Sequence, residues 1–529
     1  GGDDAQWSYS FRGANIRNIL GLTQAYPGLQ TFKLERNYRS TQNIINAAGS
    51  LISKNRDQIP KNVYSENDRG KLIDVARCYS DYEEAAQVAG RVSQLKRMTG
   101  DSYDEFAILY RTNAQSRVLE ESLRKRNVPY RIYGGLSFYQ RKEVKDAIAY
   151  FRLSLNPNDD EALRRIINFP ARGIGDTTLN KLTRAAMDAG VSVWEVITHM
   201  DTFDCGLNAG TKKKLAMFAE LIDGFIERNE RGQDAYEVAR HIIERTGLFT
   251  MLMHDRTPES ISKQENIQEL LKGVKEYVDG MVEQGREDIS LGNFMTEVSL
   301  ATDQDVNAGT DEESVTLMTV HAAKGLEFDN VFIVGVEEDL FPATMSSDSP
   351  AAVEEERRLL YVAITRARKY CMISYATQRF RNGQTMFPRP SRFIGDIDPQ
   401  YLHLSTGTDF VSSDTVAGRA RQRPAGSGMT PSMIGSARSL NDLRRPSVSP
   451  RQAAQPTRPA SASGGASGDF TLHSFGEVSV GTKIRHTKFG VGLVEAIDTT
   501  GDPRMTVAFE DDDTPTRTLL FKYAKFMIL

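Results

Sequence analysis

Side chains suited to nucleotide and phosphate chemistry lie close together between Ser314 and Arg366: His321, Lys324, Glu327 and Arg366 itself. An arginine keeps its proton and can grip a phosphate with two parallel donors. A carboxylate such as that of Glu327 can accept a hydrogen bond from a ribose hydroxyl. The same residues could instead form a surface ion pair and a solvated charged helix, so their types alone leave both interpretations open.

The surrounding sequence indicates which elements position these side chains. Residues 315–320 and 331–336 are apolar runs typical of strands in a parallel sheet that is buried on both faces. Residues 354–367 predict a helix with acids in its first turn and bases towards its end. Ligands of parallel sheets bind at loops that leave the carboxyl ends of strands. We therefore expect the loop 321–328 to carry a binding site at that edge.

Two long motifs in this stretch resemble those of a known family. TVHAAKGLEFDNVF resembles motif V, and EEERRLLYVAITRA resembles motif VI, of the UvrD/PcrA/Rep helicases of superfamily 1. The resemblance implies an α/β fold of the P-loop NTPase class, with a RecA-like parallel sheet that forms the second core domain. It also implies that ATP contacts Glu327 and Arg366, and that single-stranded DNA contacts Thr319 and His321.

A third motif, LERNYRST, occupies residues 34–41 and resembles motif IV of the same family. The resemblance implies that Tyr38 stacks on adenine and that Arg39 reaches the γ-phosphate. In other phosphoryl-transfer enzymes, an arginine that neutralises the developing charge changes the rate by about 10³–10⁵. Ser40 is predicted to cap the helix that follows.

The chain opens with GGDDAQWSYSFRGA, which resembles motif III. It departs from the family at Ala5, where aspartate is usual, and at residues 7–8. The resemblance implies that Gln6 senses the terminal phosphate and that Tyr9 and Phe11 stack on bases of single-stranded DNA. Each stacked base contributes about 1–3 kcal/mol. Alternatively, the two aromatic residues form a core pair beside a turn.

The pattern from residue 135 to 305 is helical and matches the accessory domain inserted in this family. Its most informative part is a Gly-Ile-Gly turn at the start of a helix, where backbone N–H groups can hold a DNA phosphate. The resemblance implies that this turn grips the duplex ahead of the fork. An ordinary helix-turn-helix corner is the alternative. The candidate residues are Arg172, Gly173, Ile174, Gly175 and Thr177.

The composition of the chain changes twice near its end. Residues 403–475 are rich in Ser, Pro, Gly, Ala and Arg, which is typical of a disordered linker. Residues 476–529 alternate like short strands with glycine bends, which predicts a small SH3- or Tudor-like barrel. This barrel resembles the C-terminal module of the family, which the resemblance implies binds RNA polymerase.

Some expected features are not found in the sequence. It contains no GxxxxGK[ST] loop, and we reject Glu337-Glu338-Asp339 as a Walker B pair because of its position after motif V. We therefore expect residues 1–30 to be a remnant of the first RecA-like domain, beginning within motif III. Ligands for Mg²⁺ would lie on a missing N-terminal part, and the chain by itself would be inactive. The second RecA-like domain would comprise 31–134 and 306–402.

Composition limits the remaining possibilities. A net charge of −4 excludes a polycation that coats nucleic acid indiscriminately, so DNA must contact local basic faces. The three cysteines (Cys78, Cys205 and Cys371) have no metal-ligand spacing and suit a reducing cytoplasm. Neither a secretory signal nor an apolar run long enough to span a membrane is evident.

These observations predict an ATP-dependent 3′-to-5′ DNA helicase of the UvrD/PcrA type that acts in DNA repair on single-stranded DNA and single-strand/duplex junctions. A nuclease-fused relative of the RecB or AddA kind is disfavoured, because no carboxylate-lysine nuclease cluster is present. The remaining alternative is a non-catalytic protein that binds DNA or RNA polymerase. An ATPase assay with single-stranded DNA would separate these alternatives.

Overall fold

The computed structural model describes residues 33–56, 58–59, 61–203, 205–255, 257–307, 313–346, 349–381, 384–405, 471–472, 475–486, 489–499, 503–510 and 516–529. The candidates Gln6, Tyr9 and Phe11 lie outside these residues, as does most of the expected linker.

The α/β part is built on a mostly parallel sheet whose strands come from both sides of a long helical segment. The strands of this part are β1 (Arg36–Asn37), β2 (Tyr64–Ser65), β3 (Ile73–Ser80), β4 (Phe106–Tyr110), β5 (Tyr130–Ile132), β6 (Val315–Thr319), β7 (Phe328–Ile333), β8 (Ala367–Arg381), β9 (Gln384–Met386) and β10 (Leu402–Ser405). β1 and β2 form a separate parallel pair. The large sheet has the order β10-β3-β8-β7-β4-β6-β5, and β9 pairs antiparallel with β8. Because β4 lies between β6 and β7, the connection from β6 to β7 crosses over β4.

The helices fall into two groups. They are α1 (Gln42–Ile52), α2 (Asp81–Thr99), α3 (Ser116–Lys125), α4 (Lys142–Leu155), α5 (Asp160–Ile166), α6 (Asp176–Ala189), α7 (Val193–Thr198), α8 (Ala209–Glu230), α9 (Ala235–Thr246), α10 (Leu248–His254), α11 (Pro258–Glu283), α12 (Leu291–Asn307), α13 (Pro350–Ile364) and α14 (Arg392–Asp396). Helices α4 to α12 lie between β5 and β6 and share a hydrophobic core of their own. The others belong to the α/β part.

The large sheet is covered on both faces. Leu109 and Val331 point to one face, where α1 and α13 pack. Their neighbours Ile108 and Phe332 point to the other face, where α2 and α3 pack. Successive residues of a strand face opposite sides, so burial of both faces requires apolar residues throughout. This packing explains the uninterrupted apolar runs in the sequence.

Buried ion pairs join the helical segment to the α/β part. Arg117 of α3 pairs with Glu269 and Glu276 of α11, each at 2.7 Å. Lys272, one turn along α11, pairs with Asp81 of α2. The side chains of Arg117 and Lys272 are only 2% and 5% exposed. α11 is therefore fixed to the sheet-covering helices by charge as well as by packing.

The C-terminal part is an antiparallel sheet with its own core. Its strands are β11 (Thr471–Leu472), β12 (Lys483–His486), β13 (Gly490–Asp498), β14 (Arg504–Phe509), β15 (Thr516–Leu520) and β16 (Lys525–Ile528), in the order β11-β16-β12-β13-β14-β15. Ile484, Val494, Val507 and Phe526 pack together inside it. In the described parts of the chain, no helix is both long and apolar enough to cross a bilayer.

Two local predictions were wrong. α13 begins at Pro350, four residues before the acids at 354–356, so these do not occupy its first turn, and its last turn carries no base. The proline supplies the start, because its fixed φ and missing N–H suit the first helical position. The cap of α1 is Thr41 rather than Ser40. Ser40 is fully buried, and its hydroxyl donates to the Ala367 carbonyl at 2.6 Å.

Candidate nucleotide and nucleic-acid site

Three predicted nucleotide contacts meet at the amino ends of β7 and β8. Glu327 immediately precedes β7, and Arg366 immediately precedes β8. Arg39, which lies between β1 and α1, donates from Nε to the Glu327 carboxylate. Its Nη1 donates to the carbonyl of Thr365 at 3.3 Å. The Phe328 N–H donates to the Arg366 carbonyl at 3.0 Å, which joins the two strand starts. The structure therefore brings the three together.

The predicted position of this cluster was wrong. We expected Glu327 at the carboxyl edge of the sheet together with His321. The loop does leave the carboxyl end of β6, but it crosses β4 and ends at the amino end of β7. As a result, Glu327 lies at one edge of the sheet and His321 at the other. Only the strand order reveals this separation.

Local hydrogen bonds hold Arg39 beside the sheet. The side-chain oxygen of Asn37 accepts from the backbone N–H groups of Arg39 and Ser40, both at 2.9 Å. The Thr41 N–H donates to the Arg368 carbonyl at 3.0 Å. With the bond from Ser40 to β8, these contacts fix the backbone on both sides of Arg39. They explain why an Asn-x-Arg-Ser order suits this position.

Glu327 is ionised and half-exposed. The hydrogen bond from Arg39, reinforced by the charges of Arg39, Arg368 and Arg366, holds the pKa of the Glu327 carboxyl below its usual value. The Arg368 Nη1 lies 3.6 Å from a Glu327 oxygen. A carboxylate in this state is an acceptor only, which suits a hydroxyl donor such as that of a ribose.

Arg366 differs sharply from Arg39 in its surroundings. It is only 1% exposed, whereas 28% of the Arg39 side chain is exposed. Its nitrogens donate to the carbonyls of Val362 (3.0 Å) and Leu326 (3.2 Å) and to the Thr365 hydroxyl (3.2 Å). To touch a phosphate, Arg366 must first become accessible, because it is almost fully buried. Arg39 already stands at the surface.

Tyr38, the predicted adenine contact, is 73% exposed. Its carbonyl accepts from the Asn67 side chain at 3.2 Å, which anchors the backbone while the ring projects outward. A large exposed aromatic ring offers a flat face on which a base can stack. Its position next to Arg39 in the chain keeps it close to the charged cluster.

Thr319 and His321 lie at the opposite, carboxyl edge of the sheet. Thr319 ends β6, and its hydroxyl accepts from the Ala322 N–H at 3.3 Å. Burial, together with the charge of Arg111, lowers the pKa of His321 to about 4, although Glu356 acts in the opposite direction. His321 is therefore neutral at neutral pH. It can hydrogen-bond or stack, but it does not bring a positive charge to a phosphate.

The Gly-Ile-Gly turn has an outward part and an inward part. Gly173, Gly175 and Thr177 are exposed, and Gly175 caps the start of α6. Ile174 is only 2% exposed. The Arg172 guanidinium donates to the Tyr150 hydroxyl at 2.7 Å and to backbone carbonyls of the helical segment. Arg172 and Ile174 therefore support the turn from within the helical segment, and their contact with DNA stays a prediction.

Sequence reasoning missed a lysine beside this turn. Lys214 donates from Nζ to the Gly173 carbonyl at 3.1 Å. It lies in the first turns of α8, within a run of three lysines at residues 212–214. That run was a usable signal, because consecutive lysines at a helix start are unfavourable beside the helix dipole. The turn thus combines exposed glycines with positive charge, while the N–H groups of Arg172 and Ile174 donate to the Asn168 side chain.

The expected metal has no binding residues in the described part of the chain. No group of three or more His, Cys, Asp or Glu side chains there is arranged to hold a metal ion. We therefore assign the metal no residue in the described part of the chain.

The large parallel sheet is covered on both faces and carries Arg39 and Arg366 near Glu327 at its amino edge. This arrangement fits a domain of the RecA-like α/β class. The chain belongs to the family described as the UvrD-like helicase C-terminal domain, which matches residues 32–378. This match confirms the resemblance carried by motifs IV, V and VI.

Curated relatives agree with this assignment. The protein called ATP-dependent DNA helicase PcrA from Staphylococcus epidermidis (strain ATCC 35984) is 40% identical over 408 residues, which are 77% of this chain and 55% of the relative. The PcrA of Staphylococcus aureus (strain Mu50) is 40% identical over 403 residues, or 76% of this chain and 54% of the relative. The chain thus spans about half the length of the curated relatives it matches.

Among solved structures, the C-terminal domain of a possible DNA helicase from Lactobacillus plantarum WCFS1 matches 70% of this chain and 98% of its own length. The sequence identity is 11% and the TM-score is 0.27. A score this low carries no argument about the fold.

Proposed function

We propose that this chain supplies one wall of the ATP site, and part of the DNA path, of an ATP-dependent 3′-to-5′ DNA helicase of the UvrD/PcrA type acting in DNA repair. The observation that carries the proposal is the convergence of Arg39, Glu327 and Arg366 at the amino edge of the sheet. The names of the relatives, which are ATP-dependent DNA helicases, support ATP and DNA as ligands.

Each residue at the amino edge has a role in ATP binding that suits the chemistry of its side chain. Tyr38 stacks on adenine, and the ionised Glu327 accepts from a ribose hydroxyl. Arg39 and, once it becomes accessible, Arg366 neutralise negative charge that develops on the transferred phosphoryl group. An arginine in this role contributes about 10³–10⁵ in rate in comparable enzymes. The phosphate-cradling loop would lie on a partner domain across the cleft.

The carboxyl edge and the helical segment would handle DNA. Thr319 and the neutral His321 contact single-stranded DNA through hydrogen bonding or stacking, while the backbone of the exposed residues Gly173, Gly175 and Thr177 holds a duplex phosphate. The connection 320–327 joins the two edges of the sheet. Movement of Glu327 on closure around ATP would therefore be passed to His321, which provides a physical route from hydrolysis to stepping.

The domain assignments complete the proposal. Residues 31–134 and 306–402 form the second RecA-like domain, 135–305 the inserted accessory domain, and 476–529 an SH3- or Tudor-like module that binds RNA polymerase. The separate antiparallel sheet with its own core supports an independent role for this module. If the chain acts without ATP turnover, it is a DNA- or polymerase-binding protein.

Two binding measurements on the 529-residue chain test the proposal. ATP binding at millimolar concentration is followed by saturation-transfer NMR, and single-stranded DNA binding by anisotropy of a labelled oligo(dT). We expect Arg39→Ala to weaken ATP binding and leave DNA binding unchanged, and His321→Ala to do the reverse. Arg231→Ala, which removes an exposed arginine paired with Glu227, is the control and should change neither.

Opposite outcomes would overturn specific parts of the proposal. ATP affinity that is unchanged by Arg39→Ala would remove the nucleotide wall from the amino edge. DNA affinity that is unchanged by His321→Ala would remove the assigned contact at the carboxyl edge. We expect essentially no ATP turnover by the chain with oligo(dT), since its sequence has no phosphate-binding loop motif; strong turnover would contradict a shared site.

A further inference from the structure

The exposed ring of Tyr38 is one of three side chains that contact one another in series. The guanidinium carbon of Arg36 lies 4.7 Å from the centroid of the Tyr38 ring. Arg36 is in turn paired with the carboxylate of Glu66. The three side chains thus form the series carboxylate, guanidinium and ring, which lies along the surface of the protein, with the side chains of Arg36 and Glu66 42% and 55% exposed.

The pairing of β1 with β2 explains why these side chains meet. The two strands are parallel, with Asn37 opposite Ser65. Tyr38 and Glu66 each follow immediately, so they leave the strand pair at the same level. Arg36 precedes Tyr38 by two residues, and residues two apart in extended chain point to the same side. Arg36 is therefore placed between Glu66 and the ring.

The guanidinium covers only part of the ring. A cation over the face of an aromatic ring is attracted by its quadrupole, and it also excludes another planar group from that face. Tyr38 nevertheless remains 73% exposed. The stack therefore has one occupied face and one face open to a planar ligand. An exposed tyrosine without such a partner would lose rotamer freedom whenever a base stacked on it.

We propose that Arg36 is a positioning residue for the adenine base: held by Glu66, it fixes the Tyr38 ring in the orientation that a purine requires and directs the purine to the opposite face. This inference rests on the proposed nucleotide site, which it extends to two residues that touch neither ATP nor the phosphate-binding arginines. Its contribution acts on the base and not on the phosphates.

The test compares ATP with inorganic triphosphate on the full chain. ATP binding is measured from saturation transfer to the adenine protons, and triphosphate binding from ³¹P line broadening. We expect Arg36→Ala to weaken ATP about two- to ten-fold, the effect of losing one pre-ordered side chain, while triphosphate binding is unchanged. Arg36→Lys, which can keep a cation over the ring, should recover part of the loss, and Glu66→Gln should weaken ATP less than Arg36→Ala. Arg231→Ala should match the unmodified chain for both ligands.

The outcomes separate this inference from the function on which it rests. If Tyr38→Ala leaves ATP affinity unchanged, the proposed adenine site itself is lost. If Tyr38→Ala weakens ATP but Arg36→Ala does not, only the positioning role is overturned. An equal loss for ATP and triphosphate in Arg36→Ala would also overturn it, because Arg36 would then act on the whole loop. A thermal melt of each variant identifies any general loss of folding, and Glu66→Gln still tests the stack if Arg36→Ala folds poorly.

Discussion

At the scale of single residues, geometry distinguishes arginines that the sequence makes look alike. Arg39 bridges the Glu327 carboxylate and the Thr365 carbonyl from the surface, whereas Arg366 is enclosed by three protein acceptors. The nitrogens of Arg172 also donate to acceptors inside the protein. All three arginines carry the same charge. The acceptors that their nitrogens already contact therefore determine which of them can bind a ligand.

Replacement of Arg39 by lysine tests whether this fork geometry matters. Lys keeps the charge but has no planar fork, so it cannot bridge Glu327 and Thr365 as arginine does. We expect ATP to bind about tenfold more weakly and the pKa of Glu327 to rise towards its ordinary value, because the Arg39 hydrogen bond is the main cause of its lowering. NMR titration of the Glu327 side chain measures the second effect. An unchanged pKa would contradict it.

The low pKa of His321 gives a prediction with a definite sign. Its pKa in the folded chain is about 4, below the ordinary value of 6.5, so the unfolded chain binds the proton more readily. The stabilisation associated with neutral His321 is complete above pH 6.5 and is lost as the pH falls towards 4. We expect His321→Asn to lose stability less steeply than the unmodified chain in urea unfolding between pH 6.5 and 4. Parallel curves would contradict a buried neutral histidine.

At the scale of elements, short connections carry the candidate contacts, and the surrounding helices and strands aim them. The turn before α6 depends on Gly173, whose φ of +70° lies in the left-handed region. A Cβ at Gly173 would lie 2.5 Å from the Lys214 Nζ. Any side chain here would therefore disturb both the backbone and the lysine beside it.

Gly173→Ala should impair junction binding selectively. The left-handed conformation costs a non-glycine residue about 1–2 kcal/mol, and the added methyl group displaces Lys214. We expect weaker binding of a labelled single-strand/duplex junction and unchanged binding of oligo(dT). Gly190→Ala is the matched control, since Gly190 caps the C-terminus of α6 with a φ of +69° and has open space around it. Equal effects of the two variants on junction binding would argue against the turn.

The sequence predicted which residues form the nucleotide cluster, but not the edge of the sheet at which the cluster lies. The resemblance of motifs IV, V and VI implied one nucleotide site for Arg39, Glu327 and Arg366, and the structure brings these residues together. The predicted edge of the sheet was wrong. The location of Glu327 depends on the position of β4 between β6 and β7, which is a non-local pairing. The Arg172 side chain points inward to the Tyr150 hydroxyl, which lies 22 residues away in the chain. No local sequence pattern indicates this contact.

At the scale of the whole molecule, the junction between the helical segment and the α/β part is electrostatic as well as apolar. Lys272 lies among the carboxylates of Asp81, Glu269 and Glu276, and the charge of Asp81 raises its pKa against the effect of burial. Removing Lys272 would leave Glu269 and Glu276 to Arg117 and Asp81 to the more distant Arg379, so the buried carboxylates would be less well compensated. The junction is therefore sensitive to single substitutions.

Lys272→Met tests this sensitivity. We expect the free energy of unfolding to fall by about 3–5 kcal/mol, because three carboxylates lose their shared cation inside the protein. Lys275→Met is the control on the same helix. Lys275 is 33% exposed and pairs with Asp279 within the helix, an interaction worth about 0.3–0.5 kcal/mol. Urea unfolding curves of the two variants measure the difference, and similar losses would contradict the importance of the buried junction.

The enclosure of Arg366 has a consequence for how ionic strength acts on the proposed activities. Dissolved salt screens exposed charges over about 8–10 Å, but it weakens contacts of buried charges much less. Binding to a DNA backbone, in contrast, falls steeply with salt because counterions are released. At high salt, Arg366 should therefore keep a bound phosphate after the Gly-Ile-Gly turn and the exposed Lys214 have released a DNA duplex.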